Sequence, residues 1–147
     1  RNELQIQSLG KHGLMIFLFI VVVCVSTDIG GYVFGKLFKG PKLTKISPNK
    51  TYAGVFGGYF FSIIFTYILY NYSEIFTDQY FGIDEFVWVL IISTVSQIGD
   101  IIISYFKRLS KIKDTGKLIP GHGGILDRID GMLFAFPFYF IFYLIFY

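Results

Sequence analysis

The chain has 147 residues, 54% hydrophobic, 20% aromatic and only 16% charged, with a mean hydropathy of +0.60 and a formal net charge of +3. That is too apolar for an ordinary soluble domain of this size and describes a membrane protein. The positive charge is no nucleic-acid footprint, because the cations sit in two blocks beside apolar segments with no basic helix or aromatic reading motif, and the single cysteine, Cys24, excludes a disulfide framework.

Residues 1–13 are mixed and polar without a sustained period, and read as a loop or an interfacial lead-in. They lack the charged, apolar and cleavage regions of a signal peptide, and the chain reads as a piece of something longer. Residues 14–34 are long enough to cross a hydrocarbon core of about 30 Å. Ser26, Thr27, Asp28, Gly30 and Gly31 interrupt the second half of this span. An ionisable group at membrane depth is costly, so Asp28 is a functional-site candidate, the plainer alternative being a helix-end partner for a cation.

A basic loop follows, with Lys36, Lys39, Lys42, Lys45 and Lys50, and with Pro41 and Pro48 breaking any helix. Its end, SPNKTYAG at 47–54, delivers Ser47, Lys50 and Thr51 to the start of the next helix, where unpaired backbone N–H groups also favour anions. Residues 52–70 form the second span, with Gly54 and Gly58 spaced for close helix approach. The connection 71–85 carries Glu74, Asp78, Asp84 and Glu85 and no Lys or Arg, so it reads as the outer loop. In the third span, 86–106, Ser93, Gln97, Asp100 and Ser104 line one helix face that should look into a cavity or the bundle interior. Residues 131–147, interrupted by Pro137, form a marginal fourth span.

These features predict an all-α polytopic membrane protein with about four transmembrane helices and two basic cytoplasmic loops, a polar lead-in at 1–13 and a transmembrane catalytic domain at 14–147. Lys and Arg number five between the first two spans, none between the next two and six between the last two, so both basic loops face the cytoplasm. Asp28 and Asp100 then lie at matched depths, roughly 10 to 12 Å inward from that boundary, and outline one polar cavity.

Most of the reactive groups sit in 104–130, SYFKRLSKIKDTGKLIPGHGGILDRID. Asp127 and Asp130, three apart, can share a helix face and suit a hard cation such as Mg²⁺, with Asp100 and Asp114 as candidate further ligands. The nearby cations then serve as counter-charges for a polyphosphate, with Arg128 able to bind bidentately. Gly121, Gly123 and Gly124 let backbone approach a ligand beside His122, which reads as a phosphate contact or loop anchor rather than a base.

This run resembles the signature of the phosphatidate cytidylyltransferase (CDP-diacylglycerol synthase) family. The match extends over Ser104, Lys107, Arg108, Lys113, Asp114, Gly116, Leu118, Pro120, His122, Gly123, Gly124, Asp127, Arg128 and Asp130 at family spacing. DIGGYVFG at 28–35 and SPNKTYAG resemble two further family segments, so the similarity covers almost the whole chain from the first span onward. Two segments depart from the pattern. Ile103 stands where an acidic residue is usual, and Tyr52 and Ala53 stand where tryptophan and an acid or amide are usual. Family enzymes generally carry additional N-terminal membrane helices, so the resemblance is to their C-terminal, catalytic part.

The resemblance implies transfer of a cytidylyl group from CTP to phosphatidic acid, releasing pyrophosphate, in a multi-pass protein of a cell or inner membrane with its active site facing the cytoplasm. It implies a catalytic set of Lys113, Asp114, Asp127, Arg128 and Asp130. Substrate would be held by Asp28, Ser47, Lys50, Thr51, Ser104, Lys107, Arg108, His122, Gly123 and Gly124. Mg²⁺ would be held by Asp127 and Asp130 with Asp100 or Asp114, and a second cation is an open alternative. The expected partners are CTP, phosphatidic acid and membrane lipid, with no nucleic acid. A homodimer through the Gly54/Gly58 face is an open alternative. So are transfer to another lipid acceptor, an inactive truncated member of the family, and a transporter or channel subunit with Asp28 and Asp100 along an ion path.

Overall fold

The computed structural model describes residues 2–44, 50–76, 79–110 and 130–146, with the backbone alone at 2–9 and 146. The described residues are helical apart from their connections. Helix α1 is Asn2–Phe38, α2 is Tyr52–Tyr72, a 3-10 turn follows at Glu74–Phe76, α3 is Ile83–Leu109 and α4 is Met132–Phe146. Apolar stretches at Gly10–Phe38, Tyr52–Tyr72 and Ile83–Leu109 are long enough to cross a bilayer, and a shorter one runs over Met132–Ile145. The chain is an all-α, polytopic membrane protein, as its composition demands. The first three stretches run a turn or less beyond the expected spans.

Helix α1 has 37 residues and a length of about 55 Å, well beyond a hydrocarbon core of about 30 Å. It starts at Asn2, so the polar lead-in is helical rather than a loop. No proline interrupts this segment, and Glu3, Leu4 and Gln5 are good helix formers, so the helix continues once the apolar span has nucleated it. It ends where Lys39 turns into the left-handed region at φ 42°, with its N–H donating to the Gly35 carbonyl at 3.3 Å and Pro41 close behind.

The ends of the basic loop are tied together. Leu43 N–H donates to the Lys50 carbonyl at 2.7 Å and Tyr52 N–H to the Pro41 carbonyl at 3.2 Å, an antiparallel bridge between Lys42 and Thr51. Thr51 then caps α2, its Oγ1 accepting from Gly54 N–H at 3.1 Å. This fixes Lys50 immediately ahead of the helix.

Among the described residues, helices α1 and α2 share the most extensive interface. The buried residues of α2 are Gly54, Gly57, Gly58, Ser62 and Thr66, a stripe of small side chains at helical spacing. A Cβ on Gly54 would lie 2.7 Å from the Gly31 carbonyl oxygen, and one on Gly57 or Gly30 would collide with the facing helix. The glycine face expected to promote close approach is therefore covered by α1 of the same chain. A dimer would have to use another surface.

The core is Phe19, Ile20, Val23, Cys24, Val89, Ile92 and Ala135, drawn from α1, α3 and α4. Helix α4 docks on α3 where Gly99 admits Phe134, and Trp88 packs on Tyr139 and Phe142. Many large apolar side chains, among them Phe56, Phe60, Tyr67, Phe140 and Leu144, remain exposed. That surface suits lipid and would be a liability in water.

Substituting Gly57 by Ala should lower the melting temperature in detergent by an amount equivalent to about 1–3 kcal/mol, because the new methyl meets helix backbone that cannot move aside. Gly13→Ala, with nothing within 4 Å, should leave the melting temperature unchanged or raise it. Equal melting curves for the two variants would contradict the packing.

Candidate functional site

The site forms where the C-terminal half of α1, the N-terminus of α2 and the C-terminal half of α3 meet. Lys50 reaches across to α3, placing Nζ 2.7 Å from Asp100 Oδ2 and 3.3 Å from the Gln97 carbonyl. Asp28, Lys50, Thr51 and Asp100 line one pocket of about 170 Å³, with Gly31 and Gly54 giving it depth. The predicted polar cavity is thus present, and the two intramembrane carboxylates share it. Asp28 is exposed to it, whereas Asp100 is half-buried.

A buried polar chain holds this geometry. Thr27 Oγ1 donates to the Val23 carbonyl at 2.7 Å and lies 2.9 Å from Ser93 Oγ, and Gln97 Nε2 donates to Ser93 Oγ at 3.4 Å. The Ser93, Gln97 and Asp100 stripe therefore faces α1 and the pocket, as its spacing predicts. Ser104, one turn further on, is half-buried and does not line the pocket.

A second ion pair stands beside the first. Lys107 Nζ donates to Asp130 Oδ2 at 2.9 Å, and both side chains are largely buried. Gly131 packs against Ser96, and a Cβ there would lie 3.0 Å from Asp100 Oδ1. Only glycine lets the start of α4 lie so close to α3, and this contact carries Asp130 to the edge of the Asp100 pocket. Lys107 and Arg108 end α3, where cations also complement the helix dipole, and Arg108 is exposed.

Of the sequence-predicted site residues, Asp28, Lys50, Thr51 and Asp100 converge on the pocket, and Lys107 and Asp130 pair next to it. Ser47, Lys113, Asp114, His122, Gly123, Gly124, Asp127 and Arg128 lie outside the described residues. Ile103 and Ala53 are half-buried and do not line the pocket. Sequence reasoning did not foresee that Asp100 and Asp130 would each hold a lysine, nor the roles of Thr27 and Gly131. For Thr27 the signal was its place beside Asp28; for Gly131 it was its place next to Asp130.

Among the described residues, no three His, Cys, Asp or Glu side chains converge as a metal set. The donor chemistry of Asp100 and Asp130 nonetheless fits Mg²⁺, since both offer hard carboxylate oxygens and both already face a cationic group.

The Lys50–Asp100 pair is partly sheltered, so removing one partner should cost more than removing both. Melting of Lys50→Met, Asp100→Asn and the double variant should give a coupling of about 0.5–3 kcal/mol. Strict additivity would show that the pair contributes nothing.

Comparison with known proteins bears on what this pocket serves. The phosphatidate cytidylyltransferase of Staphylococcus epidermidis is 40% identical over 133 residues, which cover 86% of this chain and 48% of that protein. The one from Staphylococcus saprophyticus is 42% identical over 133 residues, with the same coverage. That of Haemophilus influenzae is 39% identical over 135 residues, covering 90% of this chain and 46% of the relative. The chain thus spans about half the length of the curated relatives it matches. The family model described as "Cytidylyltransferase family" matches residues 3–146, a stretch that takes in the helices and the two ion pairs described above, and on that match the chain belongs to the cytidylyltransferase family.

Proposed function

We propose that this chain carries the site at which a cytidylyl group passes from CTP to phosphatidic acid, giving CDP-diacylglycerol and pyrophosphate. The observation that carries this reading is the pocket in which Lys50, capped into place ahead of α2, meets Asp28 and Asp100 at membrane depth. Family membership and the name shared by the relatives support it.

The chemistry asks for no protein nucleophile. An oxygen of the lipid phosphate attacks the α-phosphorus of CTP, and the bond from that phosphorus to the bridging oxygen of the β-phosphate breaks as pyrophosphate leaves. Catalysis of such a step is mostly positioning and charge neutralisation. Lys50 and Lys107 bring positive charge to the pocket and its edge, and the positive end of the α2 dipole faces the same space. A pocket of 170 Å³ is smaller than the roughly 300–1,000 Å³ of typical small-molecule sites, so it suits a phosphate group rather than a whole nucleotide. Lys113, Asp114, His122, Gly123, Gly124, Asp127 and Arg128, with Ser47 from the other basic loop, would hold the remainder. Asp100 and Asp130, with Asp114 and Asp127, would hold Mg²⁺, which when bound supplies charge neutralisation on the nucleotide phosphates.

The pocket lies toward the end of the bundle that carries Lys36, Lys39, Lys42, Lys107 and Arg108, and the positive-inside rule supports reading that end as cytoplasmic. CTP would enter from water, while phosphatidic acid would arrive sideways from the bilayer. A homodimer would pack through surfaces other than the glycine face of α2.

Purified protein in lipid, given labelled CTP, phosphatidic acid and Mg²⁺, should form labelled CDP-lipid. Asp130→Asn should lower the rate by about 10²- to 10³-fold without loss of membrane insertion, the loss typical of removing one preorganised charged contact. A panel of other acceptor lipids reads the substrate class. Absence of product with every acceptor, or near-normal turnover in the variant, would reject the assignment.

A further inference from the structure

Among the described residues, a second and larger cavity lies at the other end of the bundle. It has a volume of about 360 Å³ and is framed by the N-terminal part of α1, the end of α2, the start of α3 and the end of α4. Along α3, Glu85 in this cavity is twelve residues, or about 18 Å, from Gln97 in the first pocket. The proposed cytidylyl transfer makes no use of it.

Its walls are aromatic on two sides. On one, Tyr70 packs on Phe76 at 4.6 Å between ring centroids and edge-on against Phe19 at 6.1 Å. On the other, Trp88 packs on Tyr139 at 5.2 Å and Phe142 at 4.8 Å. Asp84 and Glu85 line the same space, and among the described residues no lysine or arginine does. His12 and Gln79 complete its polar lining.

Part of this acidity has a local reason. Glu85 Oε2 accepts from Gly82 N–H at 2.9 Å, and acids in a first turn complement the helix dipole. The dipole of one helix amounts to only about half a positive charge, less than the charge of the two carboxylates beside it. Capping also needs neither an open volume of ligand size nor rings around it. Aromatic faces together with carboxylates, without a cationic side chain, are the chemistry that holds an organic ammonium ion.

We infer that this cavity is a second binding site, which takes an alkylammonium group between the Tyr70 and Trp88 walls and balances its charge with Asp84 and Glu85. The group can come from a free amine in solution or from the headgroup of a bilayer lipid.

Trp88 is the only tryptophan of the chain, so its fluorescence reports on the cavity alone. The protein in phosphatidylglycerol nanodiscs is titrated with choline chloride against sodium chloride of equal ionic strength. A saturable shift in emission with choline only is the expected result. Asp84→Asn and Glu85→Gln should each raise the midpoint by about tenfold; glutamine retains an oxygen to cap Gly82. Repeating the titration in nanodiscs that also contain phosphatidylcholine separates the sources: a raised midpoint identifies the lipid headgroup as occupant, and an unchanged one identifies a free amine. The inference is overturned if choline acts no differently from sodium, if neither carboxylate variant moves the midpoint in well-folded protein, or if emission follows protein concentration instead, which would assign the cavity to a second copy of the chain.

Discussion

The backbone contact between α1 and α2 governs the rest of the molecule. Gly30 and Gly31 of α1 meet Gly57 and Gly54 of α2, with no room for a side chain on Gly30, Gly54 or Gly57. In a bilayer, where lipid is as apolar as leucine, close van der Waals approach of this kind is a main source of helix association. It also determines which faces turn inward. With the glycines in register, Thr27 and Asp28 of α1 stand beside Thr51 and Gly54 of α2, and α3 closes the space with Gln97 and Asp100.

Charge is tolerated at this depth because it is paired or borders an open pocket. A single charged side chain at a membrane-helix centre costs roughly 2.5–3.5 kcal/mol on insertion scales. Lys50 and Asp100 offset that cost for each other, as do Lys107 and Asp130, while Asp28 keeps contact with the open pocket. In the proposed mechanism the same pairs would serve polyphosphate chemistry, each lysine turning to a phosphate and leaving a carboxylate free to hold Mg²⁺. Structure and proposed mechanism are connected through these two pairs more than through any one residue.

The two ends of the bundle differ in kind. One gathers lysines and carboxylates around a small pocket; the other gathers aromatic rings around two acids in a larger one. Helices running alternately up and down produce this polarity, because the acids at the start of α3 and the lysines and arginine at the ends of α1 and α3 fall on opposite sides.

Hydropathy and the order of charges along the chain were enough to determine an all-helical membrane protein, its apolar segments and the inward face carrying Ser93, Gln97 and Asp100. They also singled out Asp28, Lys50 and Thr51, since intramembrane carboxylates and a capped turn rich in polar groups are visible in one dimension. The lead-in at 1–13 was less legible, because a short polar stretch without periodicity becomes helical only by extension from the span that follows. What the tertiary structure alone decided is pairing. Lys50 finds Asp100 fifty residues away, and Lys107 finds Asp130 because Gly131 admits α4 against Ser96 and Asp100. Periodicity records which face of a helix is polar, but not where that face crosses another helix. The crossing depends on how closely two backbones can approach, and glycine contacts between distant segments set it here.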